Sequence, residues 1–160
     1  MSELPASNVC WRPLDRMQLG RLLRLRMPDL LLDESGGPAG ETMVAVYTLS
    51  DPRDLRDVRY VGQTRSPQRR LLQHIHTARL WLPEEVPWWF GEPKLRPLYD
   101  WIRALHRDEY RLPVMLVTAW VESVRAARLL EREQIHLHLN RGQVLFNVER
   151  EIFERQVPLL

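Results

Sequence analysis

The sequence predicts an α+β fold with a small three-stranded, mainly antiparallel sheet flanked by helices. Three short stretches are rich in β-branched and aromatic residues; a short charged connection separates the first two, and stretches with apolar residues at helical spacing flank the third. After residue 42 the predicted order is strand, strand, helix, helix, strand, helix, without an internal repeat. Elements in this order are typical of a small α+β layer.

Residues 1–42 predict a helical N-terminal extension followed by a linker. Arginines alternate with apolar residues at approximately helical spacing, which indicates a basic amphipathic helix with these members: Leu14, Arg16, Met17, Arg21, Leu22, Arg24, Leu25, Arg26 and Met27. Pro28-Asp29 is expected to end this helix, and the glycine-rich residues 34–40 have the composition of a linker. A helix of this kind most often packs against its domain with the arginines in water.

Residues 43–150 are predicted to form the main domain, which begins with two strands. Residues 43–49 have β-branched and aromatic character, and the proline at position 52 ends the run. Residues 58–63 form a second apolar run of similar length. The short charged connection between the two runs suits a hairpin turn.

Helices and one further strand complete the predicted domain. Ser66-Pro67 pairs an N-cap residue with a proline suited to the first helical position, so a helix is expected to begin there. Four prolines are expected to exclude regular structure until a second helix at residues 98–106: Pro83, Pro87, Pro93 and Pro97. Residues 114–120 predict the third strand and residues 122–139 a long helix, and residues 151–160 form a C-terminal tail.

The bulk composition is that of a soluble globular protein. Of the 160 residues, 44% are hydrophobic and 28% are charged, and no apolar run approaches the roughly 20 residues that a membrane span needs. The N-terminus lacks the basic and apolar regions of a secretory signal. Cys10 is the only cysteine, so no disulfide framework is expected. These features favour a cytoplasmic protein with no membrane partner.

The positive charge of the chain is carried almost entirely by arginine. The net charge is only +2, but Lys94 is the single lysine among the 23 Lys and Arg residues. The planar guanidinium group pairs bidentately with phosphate, which favours a phosphate-containing partner. A GC-rich genome would produce the same bias through arginine codons, so composition alone leaves both explanations open.

Two apolar triplets and three later residues carry a family resemblance. The triplets are Ala45-Val46-Tyr47 and Tyr60-Val61-Gly62, and Arg70 follows ten residues beyond Tyr60. Together with Glu131 and Asn147, this order resembles the signature of the GIY-YIG nuclease family over about residues 43–147. Alanine replaces the glycine of the first triplet, and the family pattern does not specify the Pro- and Trp-rich insertion at residues 80–97.

The resemblance implies a metal-dependent DNA endonuclease that hydrolyses phosphodiester bonds. It implies one divalent cation, Mg²⁺ or Mn²⁺, with Glu131 as the metal ligand. Tyr47 would be the general base that takes a proton from water, and Arg70 would stabilise charge on the phosphate. The other implied site residues would orient the site, move protons or support its wall: Tyr60, His74, Gly62 and Asn147.

Helix geometry separates neighbouring candidates on the helix after Pro67. Arg70 and His74 are four residues apart and therefore share one face, whereas Arg69 points about 100° away. This spacing favours Arg70 for chemistry and leaves Arg69 for the DNA backbone or solvent, and Arg65 is a second candidate for the DNA backbone. A satisfied surface histidine is as good an interpretation of His74 as a general base or phosphate donor.

Glu131 and Glu133 compete for the role of metal ligand. Their side chains diverge by about 200° on the last helix, so only one can face the sheet. Ile135 lies four residues after Glu131 on the same face, and this apolar neighbour favours Glu131 as the inward carboxylate.

Two non-enzymatic functions compete with the nuclease interpretation. The first is a nucleic-acid-binding module that keeps the fold without catalysis. The second is a protein-interaction domain that uses an exposed aromatic cluster as its anchor, formed by Trp81, Trp88, Trp89 and Phe90. A tyrosine on a strand is more often a packing residue, and only the joint placement of Tyr47 and Tyr60 favours catalysis.

Overall fold

The computed structural model describes residues 15–40, 42–81 and 85–146. Within these ranges the chain forms four α-helices, a short 3-10 helix and four strands, which confirms the predicted α+β class. The elements in chain order are α1 (Arg16–Leu30), β1 (Leu31–Asp33), β2 (Val44–Asp51), β3 (Asp54–Thr64), α2 (Pro67–Ala78), the 3-10 helix (Trp88–Gly91), α3 (Arg96–Glu109), β4 (Val114–Val121) and α4 (Val124–Asn140).

The sheet is mixed and has the strand order β1-β4-β2-β3. The β2–β3 and β2–β4 pairs are antiparallel. Strand β1 pairs with β4 in parallel, and the paired residues are Leu31–Met115, Leu32–Leu116 and Asp33–Val117. The prediction of three strands was therefore wrong by one. A strand of three residues has too few positions to show an alternation, and its partner lies more than eighty residues away in the chain.

Helix α1 joins the core through one face. Leu19, Leu23, Met27 and Leu30 are buried at helical spacing, and Asp15 and Gln18 form a capping box at the first turn. The prediction that Pro28-Asp29 ends this helix was wrong, because the helix continues to Leu30 with Pro28 inside its last turn. Proline removes one backbone hydrogen bond there, and burial of the flanking apolar side chains holds the turn in place.

Strand β2 lies in the middle of the sheet, and all eight of its residues are buried. Alternate side chains enter two separate cores, as the pleat of a strand requires. Tyr47 lies in the core that also contains buried residues of α1, α2 and α3, whereas Val46 lies in a second core with Ala127 and Ile135 of α4. The sheet is thus covered by helices on both faces.

The β2–β3 hairpin sets the register of the two tyrosine strands. Tyr47 pairs with Gly62, and Leu49 pairs with Tyr60, so all four residues share one face of the sheet. Both strands extend further than predicted, and the turn between them is reduced to Pro52 and Arg53.

The insertion at residues 80–97 contains more regular structure than predicted. Trp88–Gly91 forms a 3-10 helix, and α3 begins at Arg96 with Pro97 in its first turn, where proline is tolerated. The prediction of an exposed aromatic cluster was wrong for Trp89, which is fully buried and donates its Nε1–H to the Thr77 carbonyl at 2.6 Å. Trp88 and Phe90 are exposed, as expected.

Helix α4 begins after Ser123, whose side chain accepts a hydrogen bond from the Ala126 N–H. It starts two residues later than predicted and ends at Asn140. None of the helices in the described ranges is long and apolar enough to cross a membrane.

Candidate active site

Four of the predicted site residues meet on the face of the sheet covered by α2 and α3. Tyr47 Oη lies 2.8 Å from His74 Nε2 and 3.4 Å from Arg70 Nε. The ring centroid of Tyr60 lies 6.3 Å from that of Tyr47 and 5.5 Å from that of His74. Two strands and one helix therefore bring together side chains that are up to 27 residues apart in the sequence.

Helix α2 presents Arg70 and His74 from one face, as their spacing predicts. His74 is buried with Leu71 and Ile75, whereas Arg70 is half-buried one turn earlier and donates a further hydrogen bond to Gln73 Oε1 at 3.3 Å. The helix thus carries an imidazole into the core and leaves the guanidinium at the margin of the site.

Gly62 allows the Tyr47 ring to lie directly across the neighbouring strand. A Cβ atom at position 62 would lie 2.5 Å from Tyr47 Oη and 2.6 Å from its Cζ, closer than side-chain atoms normally approach. Because Tyr47 is fully buried, its ring has no free space into which to move. Gly62 of the second triplet is therefore required because Tyr47 of the first triplet packs directly against it.

Gly62→Ala is expected to reduce the free energy of unfolding by about 1–3 kcal/mol, because the added methyl group overpacks a filled core. Gly91→Ala is the matched control, since a Cβ atom at that glycine meets nothing within 4 Å. Denaturant unfolding of both variants provides the measurement. Equal stability of the two variants would contradict the packing role assigned to Gly62.

The two partners of the Tyr47 hydroxyl determine which group donates in each hydrogen bond. Among the described residues its partners are His74 and Arg70, and an arginine side chain can only donate. The Tyr47 O–H must therefore donate to His74 Nε2, because a buried hydroxyl proton without an acceptor is costly. Nε2 is accordingly unprotonated.

Burial keeps both partners of this hydrogen bond neutral. Desolvation raises the pKa of the Tyr47 phenol well above its usual range, and the charge of Tyr60 adds to the increase while Arg70 opposes it. Burial, with a smaller contribution from the positive charge of Arg70, lowers the pKa of His74 to about 3. A neutral imidazole can accept the hydrogen bond of the phenol, and its depressed pKa means that transfer of the proton requires a compensating negative charge nearby.

The depressed pKa of His74 predicts a loss of stability in mild acid. The unfolded chain binds a proton near pH 6.5 and the folded chain only near pH 3, so stability falls as the pH drops between these values. Between pH 7 and 4.5 the loss attributable to His74 is expected to reach roughly 2–3 kcal/mol. Its neighbours in the site are Arg70 and the phenols of Tyr47, Tyr60 and Tyr99.

The measurement is urea unfolding of the wild-type protein and of His74→Gln at several pH values in this range. The variant should show the smaller dependence on pH, since the other histidines are present in both proteins. Parallel pH profiles would contradict a buried neutral His74.

Tyr99 completes the cluster, and the sequence analysis missed it. Its hydroxyl oxygen lies 3.2 Å from His74 Nδ1, and its ring centroid lies 6.0 Å from that of His74. Tyr99 belongs to the buried face of α3 with Leu98 and Ile102, so its spacing in the sequence is that of an ordinary core residue. No local signal distinguishes it from one.

Glu131 approaches the cluster from the other side of the sheet. It lies on α4, whose buried Ala127 and Ile135 pack in the core opposite to that of Tyr47. Glu131 is half-buried, whereas Glu133 is exposed. Burial raises the pKa of Tyr60, Arg70 opposes this, and the charge of Glu131 adds to the increase. The carboxylate is thus close enough to act electrostatically on Tyr60, a residue of the edge strand β3.

The donor set around Glu131 is compatible with a hydrated hard cation. Within the described ranges no three His, Cys, Asp or Glu side chains are grouped closely enough to enclose a metal ion. Mg²⁺ retains several waters and is commonly bound through one or two carboxylates together with phosphate oxygens. A half-buried carboxylate near Tyr60 provides such a ligand, so Glu131 fits the metal that the resemblance implies.

The remaining predicted residues lie outside the cluster or outside the described ranges. Arg65 and Arg69 are exposed, and Arg65 donates to the Thr42 carbonyl at 3.1 Å. Asn147 lies outside the described residues. The chain immediately before it is held against β3, because the Phe146 N–H donates to the Arg59 carbonyl at 2.7 Å.

Comparison of the chain with protein-family models, with curated proteins and with solved structures found no match. Its functional interpretation therefore depends on the residues of the cluster and on their geometry.

Proposed function

We propose that this protein is a metal-dependent DNA endonuclease that uses a GIY-YIG-type mechanism. The observation that carries the proposal is the position of Tyr47 Oη, which lies 2.8 Å from His74 Nε2 and 3.4 Å from Arg70 Nε. A proton acceptor and a phosphate-binding cation on either side of one hydroxyl are the groups needed to activate water beside a phosphodiester.

Arg70 is the residue that binds the scissile phosphate. Its guanidinium lies at the margin of the buried cluster and is half-buried, so it can turn from the Tyr47 hydroxyl to a phosphate oxygen. This movement frees a lone pair of Tyr47 Oη for a water molecule. Arg70 then stabilises the negative charge that develops on the phosphate in the transition state.

Tyr47 and His74 form a proton relay for the attacking water. The water proton moves to Tyr47 Oη while the phenolic proton moves to His74 Nε2, so the phenol need not ionise beforehand. The water oxygen bonds to phosphorus, the phosphorus–oxygen bond of the DNA breaks, and the departing oxygen takes a proton from solvent. The transient positive charge on His74 is offset by the charge that develops on the phosphate.

The other residues orient the reaction and bind the substrate. Tyr60 borders the cluster, and its hydroxyl orients the water or the phosphate. Glu131 holds one Mg²⁺ or Mn²⁺ ion, which when bound supplies positive charge to the phosphate and the leaving oxygen. Exposed Arg65 and Arg69 bind the DNA backbone.

Incubation of supercoiled plasmid DNA with the purified protein tests the proposal. Nicking or linearisation is expected with Mg²⁺ or Mn²⁺ and none with EDTA. Arg70→Ala purified in parallel controls for contaminating nucleases. DNA binding without cleavage would support a non-catalytic nucleic-acid-binding module, and the absence of both would support a protein-interaction domain.

Tyr47→Phe is expected to lower the rate of single-turnover cleavage by roughly 10²–10⁴-fold, with DNA affinity close to wild type. The substitution deletes the hydroxyl that passes the proton and keeps the ring that fills the core. Arg69→Ala should behave in the opposite way, with weaker and less salt-dependent binding and nearly unchanged turnover at saturating DNA. Binding in Ca²⁺ and cleavage in Mg²⁺ separate the two effects, and full-rate cleavage by Tyr47→Phe would exclude the relay.

A further inference from the structure

Both ring nitrogens of the buried His74 are hydrogen-bonded, and each has a tyrosine as partner. Nε2 lies 2.8 Å from Tyr47 Oη, and Nδ1 lies 3.2 Å from Tyr99 Oη. A neutral imidazole has one N–H donor and one acceptor nitrogen, so the two hydrogen bonds must run in opposite senses. The direction of one bond therefore fixes the direction of the other.

Arg70 fixes the direction at Tyr47, and through it the direction at Tyr99. Because Arg70 can only donate, the Tyr47 O–H is directed to His74 Nε2. The proton of the neutral ring is then on Nδ1, and the Nδ1–H donates to Tyr99 Oη. Hydrogen bonds thus run from Tyr47 to His74 and from His74 to Tyr99.

The insertion holds Tyr99 in this position. The Trp89 ring packs against the Tyr99 ring with their centroids 5.5 Å apart, and Trp89 is fully buried. Its Nε1–H donates to the carbonyl of Thr77, a residue of the helix that carries His74. The insertion is therefore attached to α2 and α3 at the point where Tyr99 contacts the imidazole.

We propose that Tyr99 is a positioning residue that accepts the His74 Nδ1–H and keeps Nε2 free for the Tyr47 proton. The Tyr99 hydroxyl also has the Thr77 side chain as a hydrogen-bond partner, and its proposed effect on the reaction is exerted through His74. Its effect on cleavage depends on the proposed nuclease function, whereas its effect on the His74 tautomer does not. Without the Tyr99 hydroxyl either neutral tautomer would leave one buried donor without an acceptor, the Nδ1–H or the Tyr47 O–H, so Nε2 would be protonated in part of the molecules. The relay from Tyr47 would then be blocked in those molecules.

The tautomer can be measured by ¹⁵N NMR of the histidine side chains at neutral pH, with His74→Gln to assign the His74 signals. Wild-type His74 is expected to be protonated on Nδ1, and Tyr99→Phe is expected to show a population of His74 protonated on Nε2. Tyr110→Phe is the matched control at the C-cap of the same helix, because the eleven residues between the two tyrosines correspond to about 16 Å along the helix axis. It should leave the His74 signals unchanged.

Cleavage kinetics provide the second measurement. Tyr99→Phe should lower the single-turnover rate by roughly 2–10-fold, because only the molecules with an unprotonated Nε2 accept the Tyr47 proton, with unchanged DNA affinity. A wild-type His74 protonated on Nε2, or a Tyr99→Phe protein with the wild-type tautomer, would overturn the positioning role whatever the activity. A tautomer shift in a protein that never cleaves DNA would support the positioning role and contradict the nuclease proposal alone.

Discussion

Arg70→Ala is expected to reduce DNA cleavage by at least about 10³-fold. An arginine that stabilises charge on a transferring phosphoryl group contributes on this order to the rate. The effect should appear in the single-turnover rate at saturating DNA, because the guanidinium is assigned to the transition state more than to binding. Arg70 is only half-buried, so the variant is expected to fold.

Arg69→Ala and Arg70→Lys are the appropriate comparisons. Arg69 is the adjacent arginine on α2, but it is exposed and outside the cluster, so its loss should leave the single-turnover rate nearly unchanged. Arg70→Lys keeps the charge but loses the planar fork and should remain strongly impaired. Thermal unfolding verifies that each variant is folded. Wild-type cleavage by folded Arg70→Ala would refute the assignment of this residue to the transition state.

The sequence predicts correctly those helices and strands that are determined by residues close together in the chain. The start of α2 at Pro67 follows from proline geometry, although the Ser66 side chain makes no capping hydrogen bond. The two strands around Pro52 follow from the β-branched and aromatic composition of their runs. Strand β1 could not be predicted in this way, because only its pairing with β4 makes it a strand. The end of α1 was misplaced for a related reason, since tertiary burial of Met27 and Leu30 outweighs the local effect of Pro28.

The same division applies to the candidate site. The shared face of Arg70 and His74 is a consequence of helical spacing, and the contact between Tyr47 and Gly62 is a consequence of hairpin register. The position of Tyr99 depends on how α3 packs against α2, which no pattern within α3 encodes. Trp89 was mistaken for an exposed residue because its burial depends on the same helix packing.

Glu131→Gln is expected to abolish metal-dependent cleavage, whereas Glu133→Gln should change it little. The two substitutions remove the same charge from positions two residues apart on α4. They are therefore matched in chemistry and differ in the side of the helix from which the carboxylate is removed. Glu131 is half-buried, whereas Glu133 is exposed. Burial raises the pKa of Tyr60, Arg70 lowers it, and the charge of Glu131 adds a further increase. Glutamine preserves the volume and the polar character of each side chain, which limits the effect on folding.

Parallel Mg²⁺ and Mn²⁺ titrations of the cleavage rate distinguish the two glutamates. Loss of the metal ligand should leave Glu131→Gln inactive at metal concentrations that saturate the wild type, while Glu133→Gln should give a nearly wild-type titration curve. Glu131 lies on a helix that packs on the sheet face opposite to Tyr47, and it would hold the cation that supplies positive charge to the phosphate. If Glu133→Gln is the inactive variant, the helix-face argument is wrong, and if both variants cleave normally, the cation is held by other groups.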